Sequence, residues 1–278
     1  MPHVAVVSRL LDAASAGAAP ALDGNLLCQI CLDAPAAVSQ LCGAACLAEL
    51  CASCVARHLA AGVYAFYPGV LPKVRCPVCL TLLNKSQWQK FVQKEPQQQE
   101  QEQVDDNSHV LDKYAVLCRQ SCGFQSPCCH NADYTMLPHC DSTGDGEDKL
   151  VELTSLQVEA LPELLVRAVE FCYHRQDTSE LYEFMTDKFQ DKVEEVLSKL
   201  LPKIDDEERR AALLLWHLSK NPNTQTRCCK AAVCFKCKAT NHHDGNCRDF
   251  VEEENVVECR GCGVTVVMVE GCDSLRCL

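Results

Sequence analysis

Long apolar runs are missing from this chain, which nowhere reaches the roughly 18 to 20 uninterrupted apolar residues that a membrane-spanning helix needs. The expectation is a soluble protein with no membrane partner. A secretory leader is missing too: Met1 to Gly24 holds one arginine and scattered apolar residues, without a compact apolar core ending in a cleavage site. Cations are scarce, with 26 Lys and Arg against 38 Asp and Glu, a formal net charge of -12. Proteins that bind nucleic acid draw their general affinity from Lys and Arg neutralising phosphates. The charge therefore argues against nucleic acid and for a partner with a basic surface. No internal repeat of fixed period occurs.

What the chain has in abundance is cysteine, 23 among 278 residues, far above ordinary usage. Without a leader the expected compartment is the cytoplasm or nucleus. Thiols stay reduced there, and cysteines at short paired spacings serve as zinc ligands rather than disulfides. Zinc binds thiolates, so each four-cysteine site with its divalent ion carries about two further negative charges. The folded protein is then more acidic than its formula.

Composition divides the chain. Residues 1–25 are Ala-rich and read as a flexible N-terminus, and 26–92 hold the first cysteine array. Residues 93–109, rich in Gln and Glu, read as a polar linker with too few apolar residues to offset their ordering entropy. A helix begun near Lys85 could run into it. From about 147 to 221 the cysteines thin out and apolar residues recur at helical spacing. Leu161, Leu165, Val169 and Cys172 share one face; Leu181, Met185, Phe189, Val193, Val196 and Leu200 share a second; Ala211, Leu214, Leu215 and Leu218 share a third. Three helices are expected, packed on one another, with Asp177 or Thr178 capping the second, Asp205 the third, and Pro202 and Pro222 as stops. Cys172 is expected to be a buried thiol.

The first array reads Cys28-x2-Cys31-x10-Cys42-x3-Cys46-x4-Cys51-x2-Cys54-x21-Cys76-x2-Cys79, eight thiols and so enough for two closed tetrahedral sites. It resembles a RING domain, where alternate pairs share a metal in a cross-brace. The resemblance places Cys28, Cys31, Cys51 and Cys54 on one zinc, and Cys42, Cys46, Cys76 and Cys79 on the other. It extends to Ile30, before the second ligand, and to Pro77, inside the last pair. In RING domains these positions form the apolar patch that receives a ubiquitin-conjugating enzyme. The usual RING histidine is replaced by Ala48, so Cys42 or Cys46 must compensate, with His58 as another substitute.

Farther on, Cys229-x4-Cys234-x2-Cys237-x4-His242-x4-Cys247 resembles an in-between-RING domain. Cys234, Cys237, His242 and Cys247 would make one three-cysteine, one-histidine site, with His243 as the alternative imidazole. A further zinc would join Cys118 and Cys122, which follow Tyr114, to Cys229 and its neighbour Cys228. Cys128, Cys129, His130, His139 and Cys140 compete for that role. On this reading 110–250 are one in-between-RING domain with the helices as an insertion.

The last array, Cys259-x2-Cys262 followed by Gly271-Cys272 and Cys277, resembles the opening of the catalytic second RING of RING-between-RING ubiquitin ligases, and 255–278 read as an incomplete copy of it. In that family the cysteine matched by Cys272 takes ubiquitin from the conjugating enzyme as a thioester and passes it to a substrate lysine. A thiolate suits that two-step transfer. The competing assignment makes Cys272 a zinc ligand with Cys259, Cys262 and Cys277. Many family members carry a histidine two residues beyond the nucleophile, where this chain has Ser274.

The expected fold class is small zinc-stapled α+β domains, a cross-brace RING and an in-between-RING, with an α-helical insertion. The resemblance implies an E3 ubiquitin transferase with about four to five structural zinc ions; its partners are a conjugating enzyme, ubiquitin and a protein substrate. A RING-type scaffold ligase without its own thioester and an inactive zinc-binding interaction module are the alternatives.

Overall fold

The structure is a computed structural model, and it describes residues 27–35, 37–42, 46–93, 109–123, 135–140, 152–226 and 230–237, with the backbone of two short strands beyond them. Strand β1 (Ser39–Gln40) pairs antiparallel with β2 (Glu49–Leu50), Ser39 opposite Leu50. Helix α1 (Ala52–Tyr64) follows directly. Its apolar residues Val55, Leu59 and Val63 recur every fourth position and all turn inward. Helix α2 (Lys85–Trp88) is one turn long and starts on a capping box. The Asn84 side chain accepts from the Ser86 amide, and the Gln87 side chain accepts from the Asn84 amide, both at 2.8 Å. A 3-10 turn, Gln89–Phe91, ends this segment, so the helix expected near Lys85 is short. Residues 94–108 of the linker and residues 1–26 lie outside the described residues.

Helix α3 (Val110–Ser121) buries Val110, Tyr114, Leu117 and Cys118. Then come α4 (Ser155–Cys172), α5 (Thr178–Phe189), α6 (Val193–Leu200) and α7 (Glu207–Lys220). Two hairpins follow: β3 (Asn223–Gln225) with β4 (Ala232–Cys234), and β5 (Val256–Glu258) with β6 (Thr265–Val267), both antiparallel. Leu50, Leu59, Trp88, Tyr114, Phe171, Met185, Leu213 and Phe235 belong to one continuous buried cluster. The cysteine-rich N-terminal segment and the helices therefore share a core.

Three expectations about the helices are corrected. The inward face of α4 is Gln157, Leu164, Ala168 and Phe171, whereas Leu165, expected inside, is exposed. Both sets satisfy the helical period; the roll is fixed by Phe171, which is fully buried, and by the Gln157 amide donating to the Phe189 carbonyl at 3.1 Å. The six residues from Leu181 to Leu200 are all buried, but on two helices. A 3-10 turn at Gln190–Lys192, entered with Gln190 at φ 45, divides them, so four helices stand where three were expected. The cap of α7 is Asp206 rather than Asp205, its carboxylate accepting from the Glu208 amide at 3.0 Å. Cys172 is half-buried, and burial pushes its thiol up to about 12.

Asp206 does more than cap. Its other oxygen accepts from the Lys85 amide at the start of α2 (2.7 Å), while the Tyr114 hydroxyl of α3 donates at 2.7 Å to the oxygen that caps α7. Around it, Lys85 pairs with Glu207 at 2.9 Å, and the Asn84 side-chain Nδ2 donates to the Cys172 carbonyl at 2.7 Å. Glu208 holds Arg209 through two 2.6 Å bonds, both side chains almost fully buried, with the Arg209 guanidinium over the Phe171 ring. Removing one partner of such a buried pair costs about 3–5 kcal/mol. Glu208→Gln is expected to lower the unfolding free energy by about that much in chemical denaturation.

Two buried groups in this region titrate in opposite senses. Burial, reinforced by the Glu208 carboxylate, raises Asp206 from 3.8 to about 6. Burial, then the Arg209 guanidinium, lowers His174 from 6.5 to about 4. Asp206 thus contributes stability that is present below its unfolded pKa and lost as pH rises through about 6. His174 contributes stability present above its unfolded pKa and lost as pH falls through about 4. Between those limits folding protonates one group and deprotonates the other, and the two slopes offset. Relative to wild type, the stability of Asp206→Asn should therefore rise with pH across that window, and that of His174→Gln should fall. Denaturation at a series of pH values reads both, and slopes of the same sign would refute the assignment.

Candidate metal centre

Two turns of the N-terminal segment are built alike. In the first, the Cys28 amide donates to the Asp33 carbonyl at 2.9 Å and the Leu32 amide to the Cys28 carbonyl at 2.8 Å. In the second, the Cys76 amide donates to the Thr81 carbonyl at 2.9 Å and the Leu80 amide to the Cys76 carbonyl at 3.1 Å. Each turn points two thiols to one side. Closing it needs a left-handed backbone just after the second cysteine, and Leu32 and Leu80 both stand there with φ 62. Glycine is the residue that adopts this conformation without strain.

The turn at Cys28 and Cys31 meets Cys51 and Cys54, which sit at the cap and first turn of α1. The turn at Cys76 and Cys79 meets Cys42 and Cys46, which both lie in the connection between β1 and β2. Within each set the four sulfurs lie within 4.8 Å of one another, with Cys31 to Cys51 at 3.9 Å and Cys42 to Cys79 at 3.6 Å. A tetrahedron with metal–sulfur bonds of about 2.3 Å has edges of about 3.8 Å, so the spacing fits a four-coordinate ion. It is far beyond the ~2.05 Å of a disulfide. The sets interleave along the sequence, first pair with third and second with fourth.

The protonation of these thiols shows what an ion would do. Hydrogen bonds from the amides of Cys51 and Cys31 bring Cys28 down to about 6; the Thr81 hydroxyl, then its amide, do the same for Cys79. Their neighbours move the other way. Cys42 is raised by burial and by the Cys76 and Cys79 thiols, and Cys31 reaches about 12: the Asp33 amide lowers it, but burial, the Asp33 carboxylate and then the Cys28 and Cys54 thiols outweigh that pull. Four sulfurs this close cannot all ionise alone, and a divalent cation is what lets them. Arg57 also donates to the Cys54 sulfur at 3.4 Å, a second-layer contact that steadies a ligand.

Ala48 is buried beside the second set, which Cys42 and Cys46 complete without an imidazole. His58 joins neither set; its ring meets the Arg75 carbonyl at 2.8 Å. Ile30 is 45 % exposed and Pro77 half-buried, and the sequence reading passed over their neighbours. Leu32, Val78 and Leu80 are exposed on the same two turns. The signal was available in the position directly after each Cys-x2-Cys pair.

Cys118 and Cys122 are both buried, on α3 and at its cap, with the Cys122 sulfur 3.9 Å from the Ala211 carbonyl of α7. Among the described residues they join no group of three or more metal-binding side chains, and neither does His139 or Cys140. Cys228, Cys229, Cys128, Cys129 and His130 lie outside the described residues. Cys234 ends β4 and Cys237 closes the turn after it, but His242, His243 and Cys247 lie outside. The same holds for Cys259, Cys262, Cys272, Ser274 and Cys277, although Cys259 to Cys262 fall in sequence between the paired strands β5 and β6. No helix among the described residues is long and apolar enough to cross a membrane.

Elemental analysis of the purified chain should find at least one equivalent of metal for each of the two sets. Cys54→Ser is expected to remove one equivalent, Cys79→Ser another, and the double variant both; full retention in either single variant would refute the pairing. Turning to known proteins, no family model, curated protein or solved structure matches this chain.

Proposed function

We propose that the chain is an E3 ubiquitin-protein transferase of the RING-between-RING type, with zinc in its thiol sets. The observation that carries this reading is the interleaving of the two four-cysteine groups, with exposed apolar residues on the turns that hold them. All-sulfur tetrahedral sets suit zinc or iron; the RING resemblance selects zinc, about four to five ions if the later arrays are also filled. Zinc here is structural: it ties distant parts of a short segment together. The turns then present Ile30 and Pro77, with Leu32, Val78 and Leu80 beside them, to a ubiquitin-conjugating enzyme.

Cys272 is the proposed nucleophile. Its thiolate attacks the thioester carbonyl that joins ubiquitin to the conjugating enzyme, and the enzyme's cysteine leaves as thiolate. A substrate lysine amine then attacks the new thioester, Cys272 leaves, and the amine proton passes to a base. With Ser274 in place of the family histidine, that base is Asp273, Glu270, water or the acceptor itself. A second reading, a RING-type scaffold ligase without its own thioester, is favoured by location: both thiol sets and all five apolar residues lie within residues 27–93. In an inactive zinc-binding module neither conjugating enzyme nor ubiquitin would engage.

Mixing the chain with charged conjugating enzyme should give a thiol-reducible ubiquitin adduct that Cys272→Ser abolishes. Discharge that survives Cys272→Ser selects the scaffold ligase. Ile30→Ala should weaken conjugating-enzyme binding roughly tenfold, about 1.4 kcal/mol. Leu80→Gly separates docking from folding, because it removes an exposed side chain at a left-handed position that glycine prefers. It should keep the metal content and melting temperature while weakening the same interaction. Unchanged binding in both variants rejects both ligase readings.

A further inference from the structure

The helical block carries a groove unrelated to the thiol sets, about 1190 Å³ in volume, between the α5–α6 corner on one side and the end of α7 with β3 on the other. Its floor is apolar, formed by Leu197, Leu214 and Leu218, and Trp216 forms part of one wall. Its ionisable lining is one-sided. Glu183, Asp187, Asp191 and Glu194 line it with exposed carboxylates, and Lys220 is the ammonium against them. His217, held by the Tyr182 hydroxyl at 2.9 Å, is lowered by burial and so uncharged at neutral pH. Lys188 pairs with Asp187 at 2.9 Å from outside the lining, and because an exposed pair of this kind is worth little, a partner's cation can displace it.

From this geometry we infer that the groove docks an extended basic segment of a partner protein, one with Lys or Arg on either side of an apolar side chain. The apolar residue would enter over Leu197 and Leu214, and the cations would meet the four carboxylates. Trp216 offers a further cation site: Lys220 already lies 5.3 Å from its ring centroid. A second copy of this chain is a poor occupant, because its net charge of -12 opposes the rim. The inference does not rest on the ligase reading, since no residue of the thiol sets takes part.

The test uses the full chain and a fluorescein-labelled nonapeptide with central leucine, two lysines and two arginines, against the same peptide with glutamate at those four positions. Anisotropy should show binding of the basic peptide alone, weakening as added salt shortens the screening length from about 10 Å toward 3 Å. Asp187→Asn with Asp191→Asn should weaken it at least roughly tenfold, and Glu183→Gln with Glu194→Gln is the second pair should the first disturb the melting temperature. Glu159→Gln on α4 with Asp112→Asn on α3, both exposed and outside the groove lining, changes net charge equally and should leave binding unaltered. Equal loss in that control would reduce the effect to overall charge and overturn the inference. So would equal binding of the glutamate peptide, failure of the basic peptide to bind, or a self-associating chain whose dimer the groove variants dissolve.

Discussion

A single buried carboxylate holds the molecule's parts in register. Asp206 caps α7, receives the amide that opens α2 and takes the hydroxyl of Tyr114 from α3. Three chain segments far apart in sequence thus converge on two oxygens. Burying an anion is costly unless its hydrogen bonds are made, and here they are made only when all three segments are in place. The interaction adds little net stability, but it rejects other arrangements. A shifted α2 or a rolled α3 would leave the carboxylate buried without its donors.

The thiol sets depend on that register from the other side. The segment that carries them is small, and much of its apolar surface is covered by helices outside it: Trp88 of α2 is fully buried and meets Tyr114 edge-on at 5.0 Å. An ion in each thiol set would close the loops at one end, where there is little core to do so, and the shared core and polar seam close the other. The left-handed leucines fit the same account. Leu32 and Leu80 adopt a strained conformation because each follows a cysteine pair that must face one centre. A strained residue kept at both equivalent turns, with its side chain in solvent, is where a docking role is expected.

Legibility in the sequence followed the range of the interaction. Two cysteines two residues apart can reach one centre whatever surrounds them, so the spacing alone announced the first array, and the RING resemblance supplied the alternate pairing that the sulfur positions display. Helical period found the helices but not the roll of α4, which carries apolar residues on two stripes; only contact with Phe189 and Arg209 chooses between them. The break at Gln190 left no mark, because the apolar spacing continues through it. Least visible was the polar seam. Glu207, Glu208, Arg209 and Arg210 read as a solvated helix start, yet the last three are buried. Nothing local reveals that Asp206 meets a backbone amide at Lys85.

Charge links the metal to the rest of the surface. The formal -12 counts every thiol as neutral; filling the two sets with divalent ions converts eight thiols to thiolates and adds about four further negative charges. The carboxylate-rimmed groove therefore lies in a negative field, and the chain's overall charge grows more negative when metal binds. Such a field raises the local concentration of basic partners and speeds their approach, while repelling acidic ones and nucleic acid. Apolar fit at short range adds affinity on which salt has little hold. The encounter rate of a basic partner should then fall with ionic strength more steeply than its dissociation rate rises at the groove. By the same logic, a metal-free chain would carry less negative charge and attract basic partners less strongly.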